Sequence, residues 1–300
     1  MPSEKRQRQD EGRLNRRIAE QAAAKRQTRN RNAIRLGIAA VVVLGGVFLY
    51  SVISGDDGDK VDTATSSTTA ADTGGTDDGT TASTIAVTYP GPGASVTGDT
   101  PCPKADGSSQ RTTQFEKAPP TCIDAGKAYT AKIETTEGDI EVALDPAKAP
   151  VTVNSFVVLA RYHYYDDVPF HRIVPGFVDQ AGTPVDQASP DIQTNPGYTI
   201  DDELPDVSGL ASPADAYPDG TLAMANRGKD ADGKGTNSSQ FFIVVKGGGA
   251  QFAQNPNYTV FGKVTSGLDV AEKINGFGDA ASNGTPTKDV RITKVTITER

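Results

Sequence analysis

PFHRIVPGFVDQAG, residues 169–182, places two short apolar runs, FHRIV and GFVDQ, on either side of a Pro175-Gly176 break. Proline followed by glycine interrupts regular structure and favours a tight turn, so the stretch predicts strand, turn and strand. One cation, Arg172, stands among Phe170, Ile173, Val174, Phe177 and Val178. A guanidinium on an apolar face is costly to desolvate. It marks either a surface ion pair, with Asp166 or Asp167 as the nearby carboxylates, or a site that needs a fixed positive charge.

Similar short strands recur on both sides. YTAKIETTEGDIEVALD (129–145) alternates apolar and polar through Ile140, Val142 and Leu144 and turns at Glu137-Gly138, which predicts a hairpin. APVTVNSFVVLARYHYY (149–165) sets Val153, Phe156, Val157 and Ala160 at helical spacing behind Pro150, a proline suited to a first helical turn. GLDVAEKIN (267–275) is a second helix candidate. TLAMAN, FFIVV, YTVFGKV and RITKVTIT supply further strands between Gly, Pro, Asn and Asp turns. The pattern is mainly β, a barrel with two helical plugs.

The chain outside this region is different in kind. Hydrophobic content of 36% with 31 glycines and 19 prolines in 300 residues is lean, so part of the chain is not expected to pack. Residues 1–35 carry eleven Lys/Arg against four Asp/Glu, a net of +7, which leaves −15 of the overall −8 for the remainder. An acidic folded unit argues against nucleic acid as a partner. Leu36–Ser54, LGIAAVVVLGGVFLYSVIS, runs nineteen residues without a charge. That is close to the ~20 a membrane-spanning helix needs. Its basic flank predicts a cytoplasmic N-terminus and a plasma-membrane protein with an extracytoplasmic C-terminal domain. A cleaved signal peptide is the competing reading, against which stand the long basic region and the lack of an A-x-A site.

The expected organisation is therefore a basic tail at 1–35, a transmembrane helix at 36–54 and a disordered Thr/Ser/Gly/Asp linker at 55–90. A cysteine-bearing lead-in follows at 91–124, then a compact domain at 125–300. Cys102 and Cys122 are the only two cysteines, so on the oxidising side of a membrane a disulfide between them is the one intramolecular pairing. On the reducing side they would stay free thiols. With two histidines beside them, no metal site of the usual Cys/His kind is expected. His163 and His171 read as structural, and DDELPD (201–206) reads as a solvated acidic turn, its spacing being wrong for an EF-hand.

YYDDVPFHRIVPGFVDQAGTP (164–184), GTLAMANRG (220–228), NSSQFFIV (237–244) and YTVFGKVTSGLDVAEKI (258–274) occur in an order and spacing that resembles the cyclophilin peptidyl-prolyl cis-trans isomerases. The resemblance implies a closed eight-stranded antiparallel barrel capped by two α-helices, with a groove on its outer face. It implies Arg172 as the catalytic residue, and Phe177, Val178 and Phe242 as the wall of a proline pocket. Gln180 would orient the arginine and bind substrate backbone. Ala225, Asn226 and Gln240 would form the groove floor, and Tyr258 stands where many relatives carry histidine. The chain has no tryptophan, a residue common in animal members, and Phe252 is a candidate to fill that space. Ala181 and Ser238 stand where the family pattern has glycine, and the loop between Asn226 and Gln240 is longer than usual. No cofactor is implied. The expected partners are proline-containing polypeptides, such as exported proteins during folding, and the ectodomain is expected to be monomeric. The alternative is a membrane-tethered module that grips proline segments without turnover. Since isomerisation breaks no bond and moves no proton, and arginine does not titrate there, the rate should be nearly independent of pH between about 6 and 9.

Overall fold

The computed structural model describes residues 87–184 and 195–300. The basic tail, the apolar run at 36–54 and nearly all of the linker at 55–90 lie outside the described residues. No helix among the described residues is long and apolar enough to cross a membrane.

The first elements lie in the cysteine-bearing lead-in, where β1 (Ala94–Val96) pairs in parallel with β2 (Thr112–Phe115). The predicted hairpin follows as β3 (Tyr129–Thr135) and β4 (Gly138–Leu144), paired from Tyr129–Leu144 to Thr135–Gly138. Its inward positions Ile133, Ile140 and Val142 are fully buried, as the alternation demands. After helix α1 (Pro150–Arg161) come β5 (Val168–Pro169), β6 (Arg172–Val174) and β7 (Val178–Ala181). Then follow β8 (Thr221–Met224), β9 (Phe241–Val244), β10 (Val260–Ser266) and helix α2 (Leu268–Asn275). A short pair, β11 (Gly278–Asp279) and β12 (Thr285–Pro286), precedes β13 (Arg291–Glu299).

The main sheet is one nine-stranded ladder in the order β5-β13-β3-β4-β10-β8-β9-β7-β6. This corrects the closed eight-stranded barrel implied by the resemblance. The two edges, β5 and β6, are not hydrogen-bonded to each other, although only Phe170 and His171 separate them along the chain. The amides that closure would use are absent or committed elsewhere. Pro169 has no N–H, Phe170 N–H donates to Val290 O at 2.9 Å, and Ile173 N–H donates to Gly284 O at 2.7 Å. Covalent backbone, in place of a ninth ladder, carries the chain from one edge to the other.

Helix α1 begins at the predicted proline, yet ten of its twelve residues are buried, more than one amphipathic face requires. The lead-in supplies the extra cover. Asn154 accepts from Cys122 N–H at 2.7 Å and donates to Pro120 O at 2.9 Å. Just beyond the helix, Tyr162 donates its hydroxyl to Pro101 O at 2.8 Å, and its carbonyl accepts from Thr112 N–H. Phe115 packs on the rings of Tyr162 and Tyr198 at 5.3 and 6.3 Å. His163 bridges Asp166 and Gly107 O, a structural role of the kind expected of it.

The acidic turn at 201–206 is less solvated than its composition predicts. Glu203 accepts from Val151 N–H and Thr152 N–H, capping the start of α1 in place of a local side chain. Asp202 is nearly buried against Lys229 and Asn237.

Cys102 and Cys122 are joined by a disulfide across a sequence separation of 20 residues. Closing a loop of this length restricts the unfolded chain by about 3 kcal/mol in the chain-entropy treatment. Replacing both cysteines by serine is expected to lower unfolding free energy by about that amount, read by urea titration of the oxidised protein and the double variant. An unchanged midpoint would show that the lead-in is held by its hydrogen bonds and Phe115 alone.

Candidate active site

β6 and β7 are joined by the turn Val174–Phe177, where Phe177 N–H donates to Val174 O and Gly176 adopts φ +68°, a left-handed value open to glycine. The pairing sets Arg172 directly opposite Gln180. Strand alternation then sends Val178 and Gln180 to the same face. β9 lies beside β7 with Phe242 opposite Gln180, and β8 lies beside β9 with Ala223 opposite Phe242. Ala225 and Asn226 follow directly from the end of β8.

These elements enclose a cleft of about 210 Å³ lined by Arg172, Phe177, Val178, Gln180, Ala225, Asn226, Phe242, Phe252 and Tyr258. Eight of the nine residues expected to act on substrate therefore share one cleft. The ninth, Gln240, lines an adjoining polar cleft of about 260 Å³ with Gln180, Ala225, Asn226, Arg227 and Ser238. The two clefts are tied by hydrogen bonds: Arg172 Nη1 donates to Gln180 Oε1 at 3.4 Å, and Gln180 Nε2 donates to Gln240 Oε1 at 3.0 Å. Asn226 is held by Asn257 O and by Gly228 N–H, so its side chain secures the rim.

Arg172 is half-buried and, among the described residues, has no carboxylate within ion-pair distance. Asp166 is taken by His163, and Asp167 by Arg291. The surface-pair reading of Arg172 fails on that geometry. Burial lowers the guanidinium's proton affinity, opposed by the nearby Tyr258. Arginine nonetheless stays charged at neutral pH. Burial also raises the Tyr258 hydroxyl, with Arg172 opposing. The Nδ1 of His171 is buried, and the ring is pushed down to about 4 by desolvation first and the Arg172 charge second, so it is neutral at physiological pH.

The aromatic lining is organised around Phe252. Its ring lies 5.6 Å from Phe242, nearly parallel at 10°, and 5.0 Å from Phe177, and it meets Tyr258 edge-on at 5.6 Å. Behind it Tyr217, which sequence reasoning missed, stacks at 4.4 Å. Tyr217 donates its hydroxyl to Tyr258 O and accepts from Tyr258 N–H, locking the backbone that carries Tyr258. The only signal for Tyr217 in the sequence is an aromatic residue in a polar Pro/Asp/Gly stretch. Where the family pattern has glycine, Ala181 is fully buried, while Ser238 donates to Tyr198 O and borders the polar cleft. The long loop closes on itself through Asp230 and Lys234 and through Thr236 and Gly228.

Residues 130–297 match the family described as cyclophilin type peptidyl-prolyl cis-trans isomerase/CLD. Peptidyl-prolyl cis-trans isomerase B of Bacillus subtilis is 42% identical over 153 residues, covering 51% of this chain and 90% of its own. Peptidyl-prolyl cis-trans isomerase-like 2 of Aspergillus oryzae is 37% identical over 175 residues, covering 57% of this chain but 28% of its own, so it is a much larger protein. The crystal structure of a Cryptosporidium parvum cyclophilin type isomerase aligns with a TM-score of 0.46 and 25% identity over 58% of this chain and 99% of that one.

Phe252 is 2% exposed and touches three cleft aromatics and Tyr217 behind them, so its truncation should leave a void. Phe252→Ala is expected to cost about 3 kcal/mol in denaturant unfolding. A loss below about 1 kcal/mol would mean that the ring does not organise the pocket.

Proposed function

Because the chain belongs to the cyclophilin-type peptidyl-prolyl cis-trans isomerase family, we propose that its cleft accelerates rotation about Xaa-Pro bonds, with Arg172 as the catalytic residue. A peptide bond resists rotation by ~18–20 kcal/mol because the nitrogen lone pair is conjugated with the carbonyl. At the twisted transition state that conjugation is lost, and the prolyl nitrogen becomes pyramidal and basic. A donor aimed at it gains more there than in either planar isomer, which is the requirement for lowering the barrier. The guanidinium is a forked, permanently charged donor, and partial burial without a counter-ion among the described residues leaves its field little screened.

Phe177, Val178, Phe242 and Phe252 supply an apolar slot suited to a pyrrolidine ring. Gln180 holds Arg172 on one side and Gln240 on the other, so it sets the direction of the fork and offers polar contacts to substrate backbone. Tyr258 presents a hydroxyl at the rim in the place that many relatives give to histidine. The observation that carries the reading is the half-buried Arg172 over an aromatic slot, with no ion-paired carboxylate among the described residues.

The setting of this activity belongs to the same proposal. The charge-free run at 36–54 behind a basic flank supports a single membrane anchor, with the isomerase domain outside the cytoplasm acting on exported proteins as they fold. The Cys102–Cys122 disulfide is in keeping with an oxidising compartment.

Arg172→Ala is expected to reduce kcat/KM on an Ala-Pro peptide by about 10²- to 10³-fold, while affinity for the same peptide falls far less. The measurement is protease-independent exchange NMR on wild type and variant, with binding read by titration. Equal turnover in the two proteins would remove Arg172 from the mechanism, and equal binding without turnover in either would leave a proline-gripping module. With His171 neutral and no proton in flight, the profile should lack a bell shape, and exchanging H₂O for D₂O should leave the rate nearly unchanged. A bell-shaped profile centred between pH 6 and 9 would contradict this mechanism.

A further inference from the structure

Behind the cleft, on the opposite face of β7 from Val178 and Gln180, lies a carboxylic acid that the mechanism does not use. Asp179 is fully buried. Its Oδ1 accepts from Asn275 Nδ2 at 2.8 Å, and its Oδ2 is buried with no hydrogen-bond partner. Asn275, the last residue of α2, is itself 7% exposed and uses its whole amide. Its Nδ2 also donates to Val174 O at 3.0 Å, and its Oδ1 accepts from Gly176 N–H at 2.7 Å. One asparagine therefore ties the β6–β7 turn to the middle of β7. That hairpin carries Arg172 on its first strand, Phe177 at the end of its turn, and Val178 and Gln180 on its second strand.

Resting on the isomerase reading, we propose that Asp179 and Asn275 are a positioning pair that sets the β6–β7 hairpin, and with it the aim of Arg172, according to the protonation of Asp179. The charged groups on neighbouring elements do not neutralise it. β9 carries none, α2 offers Asp269, Glu272 and Lys273, of which Lys273 is bound to Glu137 at 2.9 Å, and β6 offers Arg172, which is turned to Gln180. His171, between β5 and β6, is neutral. Burial accordingly pushes the Asp179 carboxyl up to about 7, with the Asn275 hydrogen bond opposing.

The sign follows from linkage. The folded chain favours neutral Asp179 while the unfolded chain ionises it near the ordinary 3.8, so its contribution to stability is lost as pH rises from about 4 through 7. Above that point a buried charge has one donor for two oxygens. The strand must yield to hydrate Oδ2, which loosens the turn that Asn275 holds.

The test is ¹⁵N NMR of the full-length chain from pH 5 to 9, following the Gly176 and Phe177 amides, beside kcat/KM on an Ala-Pro peptide over the same range. The wild-type amides are expected to titrate with a midpoint near 7, and kcat/KM to fall about threefold in one monotonic step, a departure from the near pH-independence expected of Arg172 alone, as small misalignments of a positioned group cost rate. Asp179→Asn, which keeps shape and removes the charge, should abolish both steps. Asn275→Ala should shift both amides at every pH and lower kcat/KM about tenfold. Amides that do not titrate, or a wild-type profile no different from that of Asp179→Asn, would overturn the proposal. Absence of wild-type turnover at every pH would instead sink the isomerase reading, and the amide titration would still decide whether the pair governs the turn.

Discussion

A guanidinium kept half out of water, with no carboxylate paired to it among the described residues, is the constraint around which the cleft is built. An arginine that finds an acid spends its charge on that partner, and one that faces open solvent spends it on water. Among the described residues Arg172 does neither. Its nearest acids along the chain are drawn off, Asp166 by His163 and Asp167 by Arg291, and its side chain donates to the neutral amide of Gln180. The field of the cation is left for whatever enters the slot formed by Phe177, Val178, Phe242 and Phe252.

Holding such a group in place needs a frame on every side. The amides of β6 and of the link before it are fixed by Gly284 O and Val290 O, the turn by Asn275, and the aromatic wall by Phe252 with Tyr217 behind it. Gly278 and Gly284 make the close approach to Ile173 possible, since a Cβ at either would meet Ile173 O at 2.1 or 2.8 Å. The lead-in acts on the scaffold rather than on the cleft, covering α1 and feeding Phe115 into the main core. The Bacillus subtilis relative matches 51% of the chain, and the match to the family itself begins at residue 130, after both cysteines, so the lead-in lies outside the matched family domain.

Much of this was legible before any coordinates, where local pattern and local chemistry agree. The β3–β4 hairpin, the proline at the start of α1, the span of α2 and the strand–turn–strand around Arg172 all follow from periodicity and turn residues. The membership of the cleft followed from the order of four sequence blocks. What escaped depends on contacts between distant segments. The sequence marks Phe252 as a candidate for the space a tryptophan would fill, but not its place at the centre of the aromatic wall, since GGGAQFAQNPN has no period, and Tyr217 matters only because Tyr258 folds back onto it. Glu203 looks like part of a solvated acidic turn until α1, some fifty residues earlier, offers it two amides. The amphipathic reading of α1 underestimated its burial because the second cover comes from the lead-in. The failure of the ladder to close rests on where the amides of Phe170 and Ile173 point, which composition does not encode.

The most direct test is whether the purified chain, in catalytic amount, makes cis and trans signals of an isotopically labelled Ala-Pro peptide exchange within a sub-second mixing time. Uncatalysed exchange takes tens to hundreds of seconds. Strong exchange cross-peaks that persist with varied residues before proline are the expected result. Cross-peaks no stronger than those in buffer, from protein that retains its fold, would contradict the claim that a desolvated Arg172 favours the twisted bond.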